Sequence, residues 1–135
     1  MKTAAILIVD DEPSMLEIFG VWLDGAGYSN VRAAGDGQEA LAMCRAQAFD
    51  LVISDINMPR MDGMTFLRSL RELGHDMPAI VFISGRNLVE RTELQGLDVS
   101  AFLLKPFRRL DLITAVELAL KERRSGVTGE PLIAA

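Results

Sequence analysis

Four short runs of apolar residues and one mixed run alternate along the chain with segments in which apolar residues recur every three or four positions. The runs lie at residues 4–9, 30–34, 51–53, 79–83 and 101–104. Apolar runs without polar alternation are typical of strands buried on both faces, as in a parallel sheet covered by helices. The run at 30–34 is the weakest, so we expect it toward an edge of the sheet.

The segments between the runs predict five helices. The first begins at Pro13, and the second begins at a capping box formed by Asp36 and Glu39. The remaining three cover about residues 64–73, 87–97 and 108–124. Strands that alternate with helices predict an α/β fold, a doubly wound parallel sheet with right-handed crossovers.

Helical spacing also predicts which residues the helices bury. The buried stripes are predicted to contain Leu41, Cys44 and Ala48 in the second helix, and Leu110, Ile113, Val116 and Leu120 in the last. Residues 87–97 have few apolar positions, so we expect that helix to be the most mobile. Residues 125–135 show no periodicity and predict a loose C-terminal tail after a single domain at residues 1–124.

Composition excludes several classes of function. A chain of 135 residues with net charge -5 is long enough for one core, but it lacks the basic surface that nucleic acids require. We therefore expect no nucleic-acid partner within this chain. Cys44 is the only cysteine, which excludes an internal disulfide and fits a reducing cytoplasm. No stretch approaches the roughly 18 apolar residues of a membrane span, so no membrane contact is expected.

Polar side chains follow four of the five predicted strands, at the point where each strand ends. These side chains are Asp10 and Asp11, Asp55, Ser84, and Lys105. Because the carboxyl ends of parallel strands meet at one edge of a sheet, we expect the five residues to converge. Three carboxylates in one place repel each other unless a cation neutralises them, and an all-oxygen site suits Mg²⁺, with Mn²⁺ as an alternative.

Such a site favours phosphoryl transfer. A metal ion and Lys105 together would stabilise a dianionic phosphoryl group, with the Ser84 hydroxyl opposite and Asp55 as the acceptor. The chain closely resembles the receiver domain of bacterial two-component response regulators. The resemblance depends on an acidic pair, a strand-end aspartate, a serine and a Lys105-Pro106 dipeptide, which occur in this order. The resemblance covers about residues 2–124.

The resemblance implies a fold and a set of roles. The fold is flavodoxin-like, a five-stranded parallel sheet of order 2-1-3-4-5 with five helices. Asp55 is the phosphoacceptor, and its phosphoryl group comes from a phosphohistidine on a histidine kinase or a histidine phosphotransfer protein. Asp10 and Asp11 hold Mg²⁺ together with Asp55 and the backbone carbonyl of Asn57. The domain is then a regulatory phosphoacceptor that promotes its own phosphorylation and dephosphorylation, not an enzyme in the usual sense.

The resemblance further implies a conformational switch. Phosphorylation moves the Ser84 hydroxyl and Lys105 toward the phosphoryl group, and Phe102 then turns inward and remodels the surface that an output protein reads. Two residues depart from the commoner family pattern, because Ser84 stands in place of threonine and Phe102 in place of tyrosine. A switch that depends on a phenol hydroxyl therefore cannot operate. The Lys105-Pro106 peptide is expected to be cis.

Several alternatives stay open from the sequence. A haloacid-dehalogenase-type phosphatase needs a second aspartate where Asn57 stands, and a flavodoxin-like FMN binder needs a glycine-rich loop where the chain has acids. The strongest alternative is a pseudo-receiver that docks proteins without phosphorylation. His75 is the only histidine and is expected to be solvated surface. Arg108 and Arg109 begin the last helix, where cations oppose the helix dipole, so we predict that they bind an acidic partner.

Overall fold

The computed structural model describes residues 2–74, 76–85, 99–125 and 132–134. The described elements, in chain order, are β1 (Ile6–Val9), α1 (Pro13–Gly25), β2 (Val31–Ala34), α2 (Gly37–Ala46), β3 (Leu51–Asp55), α3 (Gly63–Glu72), β4 (Ala79–Ser84), β5 (Ala101–Leu104), α4 (Arg109–Ser125) and β6 (Leu132–Ala134). The predicted helix at 87–97 and the lone histidine at 75 lie outside the described residues. No described helix is both long enough and apolar enough to cross a membrane.

All strand pairs in the sheet are parallel, and the strand order is β2-β1-β3-β4-β5-β6. The predicted order 2-1-3-4-5 is therefore confirmed for the first five strands. A sixth strand extends the sheet beyond β5 at Leu132–Ala134. This differs from the loose tail and the five-stranded sheet expected from the sequence, because three apolar residues are too few to reveal a strand by periodicity.

Strand alternation divides the core into two halves. On one face of the sheet Leu7, Val52 and Phe82 pack with the buried sides of α2 and α3. On the other face Ile8 and Ile53, with their neighbours along the strands, pack with α1 and α4. The central strands are thus buried on both faces, which is the physical reason that they appear in the sequence as unbroken apolar runs.

Two predicted helix stripes need correction. In α4 the buried residues are Leu112, Ala115, Val116 and Ala119, whereas Leu110 is 72% exposed. In α2 the helix ends at Ala46, so Ala48 lies beyond it and is exposed, and Phe49 is buried instead. Cys44 is a buried core residue as predicted, and its burial raises the pKa of the thiol to about 11.

Candidate functional site

Asp10 follows β1 directly and is buried at the carboxyl edge of the sheet. Its side chain is 1% exposed, and its Oδ1 accepts a hydrogen bond of 2.9 Å from the Glu12 N–H. Its Oδ2 is the one buried side-chain nitrogen or oxygen atom without a hydrogen-bond partner in the part of the chain that the structure describes. A buried carboxylate oxygen without a partner costs free energy, so it indicates a place for a ligand.

Asp55 is the last residue of β3 and lies beside Asp10 at the same edge. Its carboxylate is held from two sides, because Oδ1 accepts the Asn57 N–H at 2.9 Å and Oδ2 lies 3.0 Å from Lys105 Nζ. Asp55 is 5% exposed. The two contacts fix the direction of the carboxylate before any ligand binds.

Three carboxylates converge here as the sequence predicted. Each of Asp10, Asp11 and Asp55 offers an oxygen atom, and these atoms all lie within 4.8 Å of one another. Burial raises the pKa of Asp10 to about 6, and the nearby charge of Asp55 adds to the rise, against the opposing effect of the Glu12 hydrogen bond. An all-oxygen cluster with an unpartnered buried oxygen suits a hard divalent cation such as Mg²⁺. The residues present therefore fit the ion that the sequence predicts.

Lys105 reaches the site from the end of β5. Burial by itself lowers the pKa of its ammonium group, but the hydrogen bond and charge of Asp55, with the charges of Asp10 and Glu12, outweigh burial and raise the pKa. The backbone N–H of Lys105 donates a hydrogen bond of 2.8 Å to the Ser84 carbonyl, and this bond joins the ends of β4 and β5. The Lys105-Pro106 peptide is cis, as the resemblance implies. Lys105 is thus a protonated cation directed at Asp55.

The two residues that are predicted to form the switch lie on neighbouring strands. Ser84 ends β4 and is 3% exposed, and Phe102 lies in β5 and is 5% exposed. The Phe102 ring packs against Phe82, with ring centroids 6.3 Å apart. The ring is therefore buried in this structure. The inward turn of Phe102 on phosphorylation stays a prediction, and it would begin from a ring that is already packed in the core.

The loop between β3 and α3 contains contacts that sequence reasoning missed. Gly63 approaches the site so closely that an added Cβ would lie 2.9 Å from the Asp55 carbonyl oxygen. Arg60 has a positive φ of 67° and forms an ion pair with Asp36, the N-cap of α2. In the sequence the Asp62-Gly63 pair indicates a turn at this position, but it does not indicate these contacts.

Comparison with known proteins assigns the family. Residues 6–117 match the response regulator receiver domain. The chain belongs to the receiver domain family. This receiver domain is 33% identical over 141 residues to the transcriptional regulatory protein GlrR of Escherichia coli, and the match covers 98% of the chain and 32% of GlrR. It is 37% identical over 118 residues to the response regulator MprA of Mycolicibacterium vanbaalenii, covering 86% of the chain and 50% of MprA. The chain therefore spans about a third to a half of these curated relatives.

Solved structures of other receiver domains share the fold of this one. The chemotaxis protein CheY4 of Vibrio cholerae is 31% identical, with a TM-score of 0.80, over 87% of this chain and 98% of CheY4. A CheY-like receiver domain protein from Methanospirillum hungatei is 26% identical, with a TM-score of 0.84, over 93% of this chain and all of that chain. The site described above thus lies in a receiver domain of two-component systems, whose members are regulatory phosphoacceptor modules.

Proposed function

We propose that this receiver domain is a phosphoacceptor switch in which Asp55 takes a phosphoryl group from a phosphohistidine of a histidine kinase or a histidine phosphotransfer protein. The observation that carries the proposal is the contact of 3.0 Å between Lys105 Nζ and Asp55 Oδ2, next to a buried oxygen of Asp10 that has no described partner. A structural ion pair alone would not require two further carboxylates beside it.

The metal site is part of the proposal. Asp10, Asp11 and Asp55 would hold Mg²⁺, or Mn²⁺ in its place, with the Asn57 backbone carbonyl as a further ligand. When bound, the ion neutralises the three carboxylates and the charge that develops on the phosphoryl oxygens. The cluster favours this role because its carboxylate oxygens already lie within 4.8 Å of one another.

The residues of the chain perform the remaining steps. One carboxylate oxygen of Asp55 attacks the phosphorus in line, the new O–P bond forms as the N–P bond of the phosphohistidine breaks, and the electron pair returns to the imidazole nitrogen. The Asn57 N–H holds Asp55 in position during the attack. Lys105 donates to a phosphoryl oxygen, and the Ser84 hydroxyl moves to donate to another. These new contacts shift the Ser84 and Phe102 face that an output protein reads.

Phosphorylation by a small donor tests the proposal directly. With Mg²⁺ and acetyl phosphate, the chain should gain one phosphoryl group by intact-mass measurement, and Asp55→Asn should gain none. Asp24→Asn, at the exposed end of α1, is the matched control and should be phosphorylated like the parent. An equal gain in Asp55→Asn would show that another residue is the acceptor.

The competing function is a pseudo-receiver that docks proteins without phosphorylation. It predicts no gain in mass and no Mg²⁺ binding at the carboxylate cluster. Titration of Mg²⁺ into the parent and into Asp10→Asn, followed by NMR, separates the two functions because only a working site loses affinity when Asp10 is neutralised.

A further inference from the structure

The sixth strand covers the open edge of β5. Leu132–Ala134 pairs in parallel with β5, in a register that joins Ala101 to Leu132, Phe102 to Ile133 and Leu103 to Ala134. Without this segment, β5 would be the last strand and would present unpaired N–H and C=O groups to solvent. An edge of this kind accepts an extended peptide through main-chain hydrogen bonds.

The backbone of Phe102 faces this added strand. At the end of β5 the backbone N–H of Lys105 donates a hydrogen bond to the backbone carbonyl of Ser84 in β4. Since the peptide groups of a strand alternate between its two sides, those of Leu103 and Ala101 also face β4, while that of Phe102 faces β6. The register then places the Phe102 peptide between Leu132 and Ala134, whose own peptide groups face β5. The residue at the proposed switch position is therefore held by main-chain pairing with the C-terminal segment.

We propose that the edge of β5 is a docking site for an extended strand, that residues 132–134 of the same chain occupy it, and that this pairing holds Phe102 in its resting position. The strand has only three residues, which makes it the shortest in the described sheet. So short a pairing contributes few hydrogen bonds and opens easily. The proline at position 131 has no N–H and directly precedes the strand, so the segment has no donor at that position to extend the ladder.

The pairing is linked to the phosphoryl site through β5, and this linkage rests on the proposed function. Phe102 is three residues before Lys105, whose ammonium group contacts Asp55. If phosphorylation draws Lys105 and Ser84 toward the phosphoryl group on Asp55, β5 shifts relative to β6. The C-terminal strand therefore favours the resting state, and by thermodynamic reciprocity phosphorylation weakens its docking. Release of the strand would uncover the edge of β5 for an output partner.

Amide hydrogen exchange tests the docking without metal or phosphate. In the full chain the Phe102 amide should be protected, and deletion of residues 132–135 should speed its exchange by at least about tenfold. The Leu103 amide faces β4 and is the internal control, so its exchange should change much less. A synthetic peptide with the sequence of residues 127–135 should restore protection at Phe102 when added to the deletion variant, and a shuffled peptide should not. Equal protection of Phe102 in both proteins would overturn the proposal.

A pair of proline variants tests the pairing in a chain of full length. Leu132→Pro removes an N–H that faces β5, whereas Ile133→Pro removes one that faces away from it. Only Leu132→Pro should speed exchange at Phe102. If both variants behave alike, or if protection at Phe102 rises with protein concentration as dimers form, the segment does not dock within its own chain and the proposal is wrong.

Beryllofluoride, a phosphoryl mimic, tests the linkage separately. With Mg²⁺ it should speed exchange at Phe102 in the full chain, and it should bind the deletion variant at least about threefold more tightly than the full chain. Equal affinity for the two proteins would overturn the linkage and leave the docking and the proposed function intact. Failure of beryllofluoride to perturb residues around Asp55 would instead overturn the proposed function, and the linkage with it.

Discussion

Gly63 shows how one absent side chain sets the distance between a helix and the site. It is the first residue of α3, and a Cβ at this position would lie 2.9 Å from both the Asp55 carbonyl oxygen and Ile56 Cα. Both neighbours are backbone atoms, which cannot rotate away as a side chain could. The glycine is therefore required by close approach, because α3 must begin directly against the end of β3.

Replacement of this glycine gives a prediction at the residue scale. Gly63→Ala should lower the free energy of unfolding by about 1–3 kcal/mol, since backbone atoms must shift to admit the methyl group. Gly20→Ala is the matched control, because Gly20 lies within α1 with no atom within 4 Å of an added Cβ. It should raise the free energy of unfolding by about 0.5–1 kcal/mol. Urea denaturation measures both, and equal stability of the two variants would contradict the close approach.

Arg108 and Arg109 define an exposed surface at the start of α4. The Arg108 N–H donates to Asp111 Oδ2 at 2.9 Å, so Asp111 caps this end of the helix and compensates its dipole. Both arginine side chains and the neighbouring Leu110 are exposed. The cap is supplied by Asp111 and a backbone group, so the two arginine side chains are not needed for it and are available to a partner.

Charge reversal of the two arginines tests this surface at the scale of the element. Arg108→Glu with Arg109→Glu should slow phosphotransfer from a partner kinase by at least about threefold, because charges at the rim of an interface mainly change the association rate. The rate at which the chain gains a phosphoryl group from acetyl phosphate should be unchanged, since no partner protein is involved. The control is Arg68→Glu with Arg71→Glu on the exposed side of α3. Equal phosphotransfer by both double variants would show that the start of α4 does not dock the kinase.

The extent of the conformational switch, measured as the shift in population between two states, is a property of the whole molecule. A charge-assisted hydrogen bond contributes about 1.5–3 kcal/mol, and inversion of a 1:99 equilibrium requires about 5.5 kcal/mol. Lys105 already contacts Asp55 at 3.0 Å in the resting chain, so only part of its contribution distinguishes the two states. Under the proposed function, two new bonds to a phosphoryl group should therefore produce a partial shift of population.

Backbone NMR with beryllofluoride measures this shift. Amides at Ser84 and from Ala101 to Lys105 should move in the parent chain, to positions intermediate between two end states. In Ser84→Ala the same amides should move much less, because one of the two new bonds is missing. Asp55→Asn, which lacks the acceptor, is the control and should show no shift. Equal shifts in the parent and Ser84→Ala would show that the hydroxyl does not couple the site to β5.

The sequence by itself determined the alternation of strands with helices and the convergence of the site, whereas the strand order was implied by the family resemblance and is confirmed by the structure. Buried parallel strands leave unbroken apolar runs, and their carboxyl ends meet at one edge whatever the details of packing. The positions of Asp10, Asp55 and Lys105 after such runs were therefore enough to predict that these side chains meet. The cap at Asp36 was equally local, and the structure confirms its bond of 2.8 Å from the Glu39 N–H.

Other features were decided only by tertiary structure. Helical spacing alone could not choose between Leu110 and Leu112, because the buried side of α4 is set by the sheet on which it packs. The burial of Phe102 depends on Phe82 in the neighbouring strand. The need for glycine at position 63 depends on how closely the start of α3 approaches the backbone at the end of β3. The sixth strand forms because β5 offers an unpaired edge, and an edge exists only once the other five strands have assembled.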